Sequence, residues 1–184
     1  DIDYTNDSVI AESREGNLYR ALAGFSYELT GKLTSRAKVG VSERTFELSD
    51  VESDSSFTWE GSLTWNPRTY STITLFTAQA ANETPSASSN YVDATFSRVT
   101  WTHEFSTFFS LRAHASFAQD IYYDGDSGEA DREDDIISYG LRGTYSPTTS
   151  LDVYASVEQS ERDSTEEGLD YDQQLITFGV AVGI

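Results

Sequence analysis

Cysteine and methionine are both absent from the 184 residues of this chain. The absence of cysteine excludes a disulfide framework and thiolate metal ligands, although it does not by itself identify a cellular compartment. Long hydrophobic runs are missing as well, since no stretch approaches the ~18 apolar residues that a membrane-spanning helix needs. The sequence therefore excludes a helical membrane protein.

Basic residues are scarce: 12 Lys and Arg accompany 31 Asp and Glu, for a formal net charge of −19. A chain of this charge repels the phosphate backbone, and no basic patch with interleaved aromatic residues offsets the repulsion. We therefore expect no nucleic-acid partner. Aromatic residues are abundant, at 13% of the chain, with 11 Tyr and 10 Phe. This abundance is typical of alternating strands that form a thin apolar band.

The C-terminal stretch QQLITFGVAVGI, residues 173 to 184, raises the question of which solvent its large side chains face. The even-numbered positions from Ile176 to Ile184 are all apolar, whereas the odd-numbered positions from Leu175 to Gly183 are mostly small. In a water-soluble sandwich the second row would be solvated and would carry Lys, Glu, Gln or Thr. We therefore predict that the apolar row faces lipid and that the small row faces a lumen or packed neighbours.

The same alternation recurs along the chain, and helical spacing is rare. It indicates nine strands, with tight turns near residues 31, 68, 106 and 148 and longer acidic connections at the opposite ends. Short turns on one side and longer loops on the other are the signature of a transmembrane β-barrel. The predicted fold class is all-β, an antiparallel up-and-down transmembrane β-barrel. We expect one domain over residues 1–184, with 1–16 an external loop or strand end and 17–184 strands.

The strand that begins at Tyr91 has no clear phase. Its apolar residues occupy even positions up to Phe96 and odd positions from Val99 onward. A β-bulge near Ser97 and Arg98 would bring both sets to one face. We therefore predict a bulge at that point.

Assigning the two faces by alternation gives a candidate lipid-facing set and a candidate lumen-lining set. The lipid-facing set is apolar and mostly aromatic: Phe57, Trp59, Trp65, Phe109, Phe117, Tyr139, Tyr145, Phe178, Val180, Val182 and Ile184. The lumen-lining set is basic: Arg20, Arg36, Lys38, Arg44, Arg112, His114 and Arg142. In a small barrel such charges would pair across strands and fill the interior, whereas in a wide barrel of ~16 or more strands they would line water.

Two features suggest chemistry, and each has a simpler interpretation. His114 shares a face with Ser116 and Asp120, as a Ser-His-acid hydrolase would require, but nothing in the sequence supplies an oxyanion hole. The favoured interpretation is a lumen-lining histidine among ordinary polar neighbours. The acidic stretch 124–135 offers oxygen ligands for Ca²⁺, yet it lacks a recognisable calcium-loop spacing and is more simply a solvated loop. We therefore predict no catalytic residue, no metal site and no cofactor.

The end of the chain also resembles the insertion signal of bacterial outer-membrane barrels, through Thr177, Gly179, Val182 and Ile184. Ile184 stands where that signal most often has Phe. Taken with the segments REGNLYRALAGFSYELTGKLTSRAKVG, FTWEGSLTWNPRTYSTITL and YDQQLITFGVAVGI, the chain resembles the β-barrel porin family associated with bacterial exopolysaccharide gene clusters. The resemblance covers nearly the whole chain and corresponds to the C-terminal half of such a protein. It implies an outer-membrane channel that works with a polysaccharide export system and has no catalytic motif.

The strand count leads us to expect part of a larger barrel. If Ile184 ends on the periplasmic side, counting strands backward places residues 1–16 in an external loop, and a descending first strand needs an ascending one before it. Single-chain bacterial barrels have even strand numbers. Nine is therefore at least one strand short.

We thus expect a non-enzymatic, porin-like channel of the Gram-negative outer membrane that takes part in export of an anionic or polar exopolysaccharide. The expected partners are outer-membrane lipid and lipopolysaccharide, the barrel-assembly machinery and polysaccharide export proteins. A second hypothesis is a non-conducting structural or binding barrel that presents acidic surface loops. A third is an outer-membrane hydrolase that uses His114.

Overall fold

The computed structural model describes residues 16–46, 54–82, 91–123 and 130–183, and every regular element in these ranges is a β-strand. Within them no helix is long and apolar enough to cross a membrane. The strands are β1 (Gly16–Thr30), β2 (Leu33–Phe46), β3 (Asp54–Arg68), β4 (Ser71–Asn82), β5 (Tyr91–Glu104), β6 (Phe109–Tyr123), β7 (Ala130–Thr148), β8 (Leu151–Ser164) and β9 (Tyr171–Val182).

All nine strands form one antiparallel sheet in the order β1 to β9, so each strand pairs with the next along the chain. This confirms the predicted all-β, up-and-down arrangement and its nine strands. The sheet is open. In the part of the chain that the structure describes, β1 and β9 are its edges and have one neighbour each.

Short hairpin turns all lie at one end of the sheet, which we call the turn end, and the longer connections lie at the loop end. Two turns share one construction, in which a proline stands just before the last residue of the strand: Pro67 in β3 and Pro147 in β7. Because proline has no N–H to donate to the ladder, the pairing register shifts there. The side chain of the residue before each proline forms a hydrogen bond with the side chain six residues later, and this bond closes the turn. Thr72 Oγ1 donates to Asn66 Oδ1 over 2.8 Å, and Ser146 Oγ donates to Asp152 Oδ1 over 2.5 Å.

The strands near the C-terminus run further into the acidic segments than the alternation indicates. β7 is 19 residues long and begins at Ala130, and β8 continues to Ser164. The expectation that the whole of 124–135 forms a solvated loop is therefore wrong for 130–135, while 124–129 lies outside the described residues. The ladder between β7 and β8 extends to the pair Asp134 and Ser164. The side chain of Asp134 is contacted there by charged neighbours, described below.

The bulge predicted near Ser97 and Arg98 is wrong. The register of β5 is unbroken against both β4 and β6, and Arg98 lies opposite Phe76 and Ser116. Phe96 instead points to the same side as Phe76, with ring centroids 6.2 Å apart. The two apolar phases of this strand therefore belong to two faces of the sheet, and no extra residue is needed to reconcile them.

Residues directly opposite each other in adjacent strands share a face of the sheet. One such row is apolar through eight strands: Leu33, Trp65, Ile73, Trp101, Ala113, Leu141, Val157 and Ile176. We call the side that carries this row the apolar face and the opposite side the polar face. The apolar belt is the band of apolar residues on the apolar face.

The apolar belt crosses the strands obliquely. At the loop end, the belt stops at Val41 in β2 and at Ile176 in β9. The row that contains Ile176 crosses β2 at Leu33, which is eight positions from Val41. At the turn end, the belt stops at Leu33 in β2 and at Val182 in β9. Val182 is six positions beyond Ile176. At ~3.4 Å per residue and ~4.8 Å between strands, these shifts over seven strand spacings give a strand tilt of about 31–39° from the belt normal. Strands of transmembrane barrels are tilted by ~35–45°.

Candidate functional site: a basic groove on the polar face

Three arginines from three consecutive strands line one depression of about 290 Å³ on the polar face. They are Arg98 of β5, Arg112 of β6 and Arg142 of β7, and His114 and Glu158 lie beside them. We call these five residues the basic groove. With His neutral, three positive charges and one negative charge leave a net charge of +2 in the groove.

Within the described ranges, the three guanidinium groups have no carboxylate partner. Arg112 and Arg142 are directly opposite each other in the ladder, an arrangement that costs stability for like charges. Among the side chains that the structure describes, no carboxylate oxygen lies within 4.0 Å of Arg98, Arg112 or Arg142. The repulsion is therefore not relieved by an ion pair within the sheet.

Arg142 is held in place by an aromatic ring and not by a charge. Its guanidinium carbon lies 3.7 Å from the ring centroid of Tyr154, the stacked geometry of a cation–π contact. Tyr154 in turn lies over Gly179, its partner in β9, where any Cβ would collide with the ring. The small residue of β9 thus provides the space that lets Tyr154 lie flat under Arg142.

His114 forms the floor of the basic groove in a similar way. Its partner in β7 is Gly140, and Nε2 of His114 lies 3.9 Å from Oε2 of Glu158, which is two strands away. A Cβ at position 140 would lie 2.6 Å from Cε1 of His114 and 3.1 Å from the carbonyl oxygen of Val157. The missing side chain of Gly140 therefore gives the imidazole room to reach toward Glu158.

The other predicted lumen-lining residues differ in whether they have a charged partner. Lys38 donates to Glu60 over 2.9 Å, so this cation is paired across strands, as the filled-barrel alternative expects. Arg20 and Arg36 are exposed on the polar face, opposite serines in the ladder. Arg44 belongs to β2, but its side chain lies outside the described residues.

A second charged cluster lies at the loop end of the polar face, beyond Ile137, the last apolar residue of the belt in β7. Asp134 is fully buried and accepts from Arg162 Nη2 over 2.5 Å, from Arg132 Nε over 3.1 Å and from Ser164 Oγ over 2.5 Å. Arg132 also contacts Glu166 over 3.2 Å. We call Arg132, Asp134, Arg162 and Ser164 the Asp134 network.

The carboxyl groups of this cluster have opposite pKa shifts. Burial alone would raise the pKa of Asp134, but the hydrogen bonds from Ser164 and Arg162 and the charges of both arginines lower it below the usual value of 3.8. The pKa of Asp120 is raised by burial and by repulsion from Asp134. The network therefore favours a negative charge at Asp134 and disfavours one at Asp120.

The candidate lipid-facing residues lie on the apolar face, except Ile184, which is outside the described residues. Phe178 and Val182 are 79% and 73% exposed, so no other part of the described chain covers them. The others on this face are Phe57, Trp59, Trp65, Phe109, Phe117, Tyr139, Tyr145 and Val180. Of the proposed insertion signal, Val182 is on the apolar face, and Thr177 and Gly179 are on the polar face.

Rings also gather at the turn end of the apolar face. The ring of His103 lies 5.4 Å from Trp101, 5.2 Å from Tyr70 and 4.5 Å from Phe105, measured between centroids. Trp101 Nε1 donates to Ser71 Oγ over 3.0 Å, which satisfies its polar end. Amphipathic rings at the edge of an apolar belt are typical of the interfacial region of a membrane.

The alternation pattern predicts neither the place of Arg98 nor the Asp134 network. The predicted bulge leaves the face of Arg98 undefined, although Trp101, three positions later, is on the apolar face and marks odd positions as apolar in this strand. Asp134 falls in a predicted loop, so its pairing with Arg162 cannot be foreseen from alternation alone.

The geometry does not assemble the nucleophilic arrangement of the hydrolase hypothesis. His114, Ser116 and Asp120 are two and four positions apart on one strand face, and neighbours on a face are ~6.8 Å apart. The acidic group near His114 is Glu158, and Asp120 lies beside the Asp134 network. Across the described ranges, no group of three or more His, Asp or Glu side chains could hold a metal ion.

Comparison with known proteins identifies a family. Searches of the curated proteins and of the solved structures returned no match. A family model described as "Putative beta-barrel porin 2" matches residues 2–183, nearly the whole chain. The name agrees with the predicted barrel class and with the up-and-down strands of the sheet. The chain belongs to this family of β-barrel porins.

Proposed function

We propose that this protein is a porin-like channel of the bacterial outer membrane that takes part in the export of an anionic or polar exopolysaccharide and has no enzymatic activity. The observation that carries the proposal is the division of the sheet into a tilted apolar belt on one face and unpaired guanidinium groups on the other. A barrel wall between lipid and a polar lumen needs this division.

The exposed apolar belt supports the membrane setting. Large side chains of every strand are exposed on this face, as Phe25, Val99 and Tyr139 illustrate. Soluble monomers rarely expose contiguous apolar patches beyond a few hundred Å². In a bilayer the same side chains face hydrocarbon, and the belt has the tilt that spanning strands adopt.

The basic groove supports an anionic or polar cargo. Unpaired guanidinium groups create a positive potential that is weakly screened where walls are close. The surplus of acidic residues in this chain makes an uncompensated basic patch on one face informative, because the average charge would predict the opposite sign.

A conducting lumen requires a closed wall. The described sheet has free edges at β1 and β9, and unpaired backbone groups are too costly to leave in hydrocarbon. We propose that these edges join further strands of a larger barrel. The partners that fit this setting are outer-membrane lipid, lipopolysaccharide, the assembly machinery that would read residues 177–184, and polysaccharide export proteins.

A second candidate function is a non-conducting structural or binding barrel. The observation that favours it is the cross-strand pairing of charges on the polar face, between Lys38 and Glu60 and within the Asp134 network. Such pairs are what a filled interior contains.

Recordings in planar lipid bilayers separate the two functions. We expect the protein purified in detergent to produce discrete conductance steps, because the basic groove would line water. The same preparation after heat unfolding is the control. A folded, inserted protein without conductance would support the structural barrel and contradict the channel.

A further inference from the structure

We propose that the basic groove is a discrete binding site for a single oxyanion group, a carboxylate, sulfate or phosphate. The site deepens the proposed function and rests on it for its setting, since it supposes that the polar face is open to water. It names the chemical group of the cargo that the wall of the channel would recognise.

The first support is an excess of unused donors. Each guanidinium has five N–H donors in a planar fork that matches the oxygens of a carboxylate or phosphate. Among the described residues Arg112 has no hydrogen-bond or ion-pair partner, and the interactions of Arg98 and Arg142 there are with the aromatic rings of Phe96 and Tyr154. The depression of about 290 Å³ has room for an oxyanion with several waters.

The second support is the fixed orientation of one arginine. Stacking on Tyr154 occupies one flat side of the Arg142 guanidinium and leaves its N–H edge free. The ring itself depends on the space above Gly179. A pre-oriented fork loses less entropy on binding than a mobile side chain does, so this arrangement favours binding at a defined point.

The third support is the contrast with other cations of the polar face. Lys38 forms an ion pair with Glu60, and Arg132 and Arg162 form ion pairs with Asp134. Arg36 is exposed in β2, opposite Ser26 and Ser62, and is not among the residues that line the groove. Arg112 and Arg142, by contrast, are direct neighbours whose mutual repulsion an oxyanion would relieve.

Isothermal titration calorimetry of the detergent-solubilised protein at low ionic strength tests the site. The probes are sodium sulfate, sodium phosphate and sodium glucuronate, with glucose as the neutral control. We expect saturable one-to-one binding of oxyanions and none of glucose. The order of the three affinities distinguishes a carboxylate site from a sulfate or phosphate site.

Variants locate the binding. Arg112→Gln and Arg142→Gln should each weaken affinity about tenfold or more, the usual loss for a charge-assisted hydrogen bond. Arg36→Gln is the matched control and should leave affinity unchanged. Tyr154→Leu should weaken binding through loss of the stacked orientation. Unchanged gel mobility of the unheated protein establishes that each variant is folded.

The outcomes separate the site from the channel. Non-saturable binding, or equal weakening by Arg36→Gln and Arg112→Gln, shows a diffuse field and overturns the site. Conductance without saturable binding overturns the site and spares the channel. Saturable binding that depends on Arg112 and Arg142, in a protein that does not conduct, supports the site and overturns the channel.

Discussion

At the scale of single residues, two glycines of the polar face act by leaving space for a neighbour's ring. Gly179 lies under Tyr154, and Gly140 lies under His114. A strand glycine usually weakens a sheet, but its loss of side-chain packing is offset when an aromatic ring from the next strand covers it. The small residue at position 179 of β9 is therefore explained by the ring of Tyr154 that covers it, and not only by the alternation of the two faces of the strand.

Gly179→Ala should destabilise the folded protein by about 1–3 kcal/mol, the usual cost of overpacking. The added methyl group would collide with the ring of Tyr154 and displace Arg142 with it. Gly183→Ala is the control, because no atom lies within 4 Å of the position that its Cβ would take. Urea unfolding in micelles measures both, and equal midpoints would contradict the packing assigned to Gly179.

At the scale of strands, β7 and β8 extend past the apolar belt and are joined there by the Asp134 network, which also contacts β6. Asp134 and Arg132 belong to β7, and Arg162 and Ser164 belong to β8. Arg132 also lies 3.8 Å from the ring centroid of Tyr122 in β6. The network and this ring contact therefore tie three strands together beyond the belt residues Ile137 and Val157.

Asp134→Asn should destabilise the protein by about 1–3 kcal/mol at neutral pH, since the amide keeps one of the two acceptor oxygens and removes the charge that pairs with both arginines. The lowered pKa of Asp134 means that its charge stabilises the fold fully above the usual value of 3.8. That stabilisation is lost as the pH falls through the lower, folded-state pKa. Unfolding midpoints of the two proteins should therefore converge in acid, and a constant difference down to pH 2 would contradict the assigned role.

Asp120→Asn should have the opposite effect. Because the pKa of Asp120 is raised in the folded state, its charge opposes folding above that pKa, and the opposition fades as the pH falls toward 3.8. The variant should be more stable than the parent protein at neutral pH, with the gain shrinking in acid. A variant less stable at neutral pH would show that Asp120 accepts essential hydrogen bonds.

The two faces of β9 provide a test of orientation. Val180→Arg puts a cation on the apolar face and should impair insertion by ~2–4 kcal/mol near mid-membrane. Ala181→Arg puts the same side chain on the polar face, opposite Asp152, and should be tolerated. Insertion into lipid vesicles can be followed by the gel mobility of unheated samples. If Ala181→Arg were the more damaging change, the faces would be reversed.

Alternation is enough to predict the nine strands and the faces of most of their residues, because successive side chains of a strand point to opposite surroundings. It fails where apolar residues occupy both faces, as in β5, where Phe96 packs against Phe76 on the polar face. It also fails where pairing outlasts the belt, as at Asp134, which depends on partners 28 and 30 positions away. A period-2 pattern reflects the different surroundings of the two faces of a strand. Polar contacts between residues far apart in the sequence leave no such pattern.

At the scale of the whole molecule, the sheet separates its charges. The chain carries a net charge of −19, yet the centre of the polar face has an excess of arginine, and carboxylates are concentrated toward the loop end. On the apolar face near this end, Gln119 donates to Glu133 over 2.7 Å. If the polar face lines a channel, as proposed, an anion that enters it would meet repulsion at the loop end and attraction at the basic groove. Strand residues are fixed, so we expect them to decide ion preference at ~0.15 M salt, where the Debye length is about 8 Å.

The most direct test of this account is the reversal potential of the channel in a potassium chloride gradient across a planar bilayer. The parent protein should prefer anions, and replacing Arg36, Lys38, Arg112 and Arg142 together by Gln should abolish or invert the preference. A parent channel that prefers cations, or one whose selectivity ignores the four substitutions, would show that these charges do not line the conducting path.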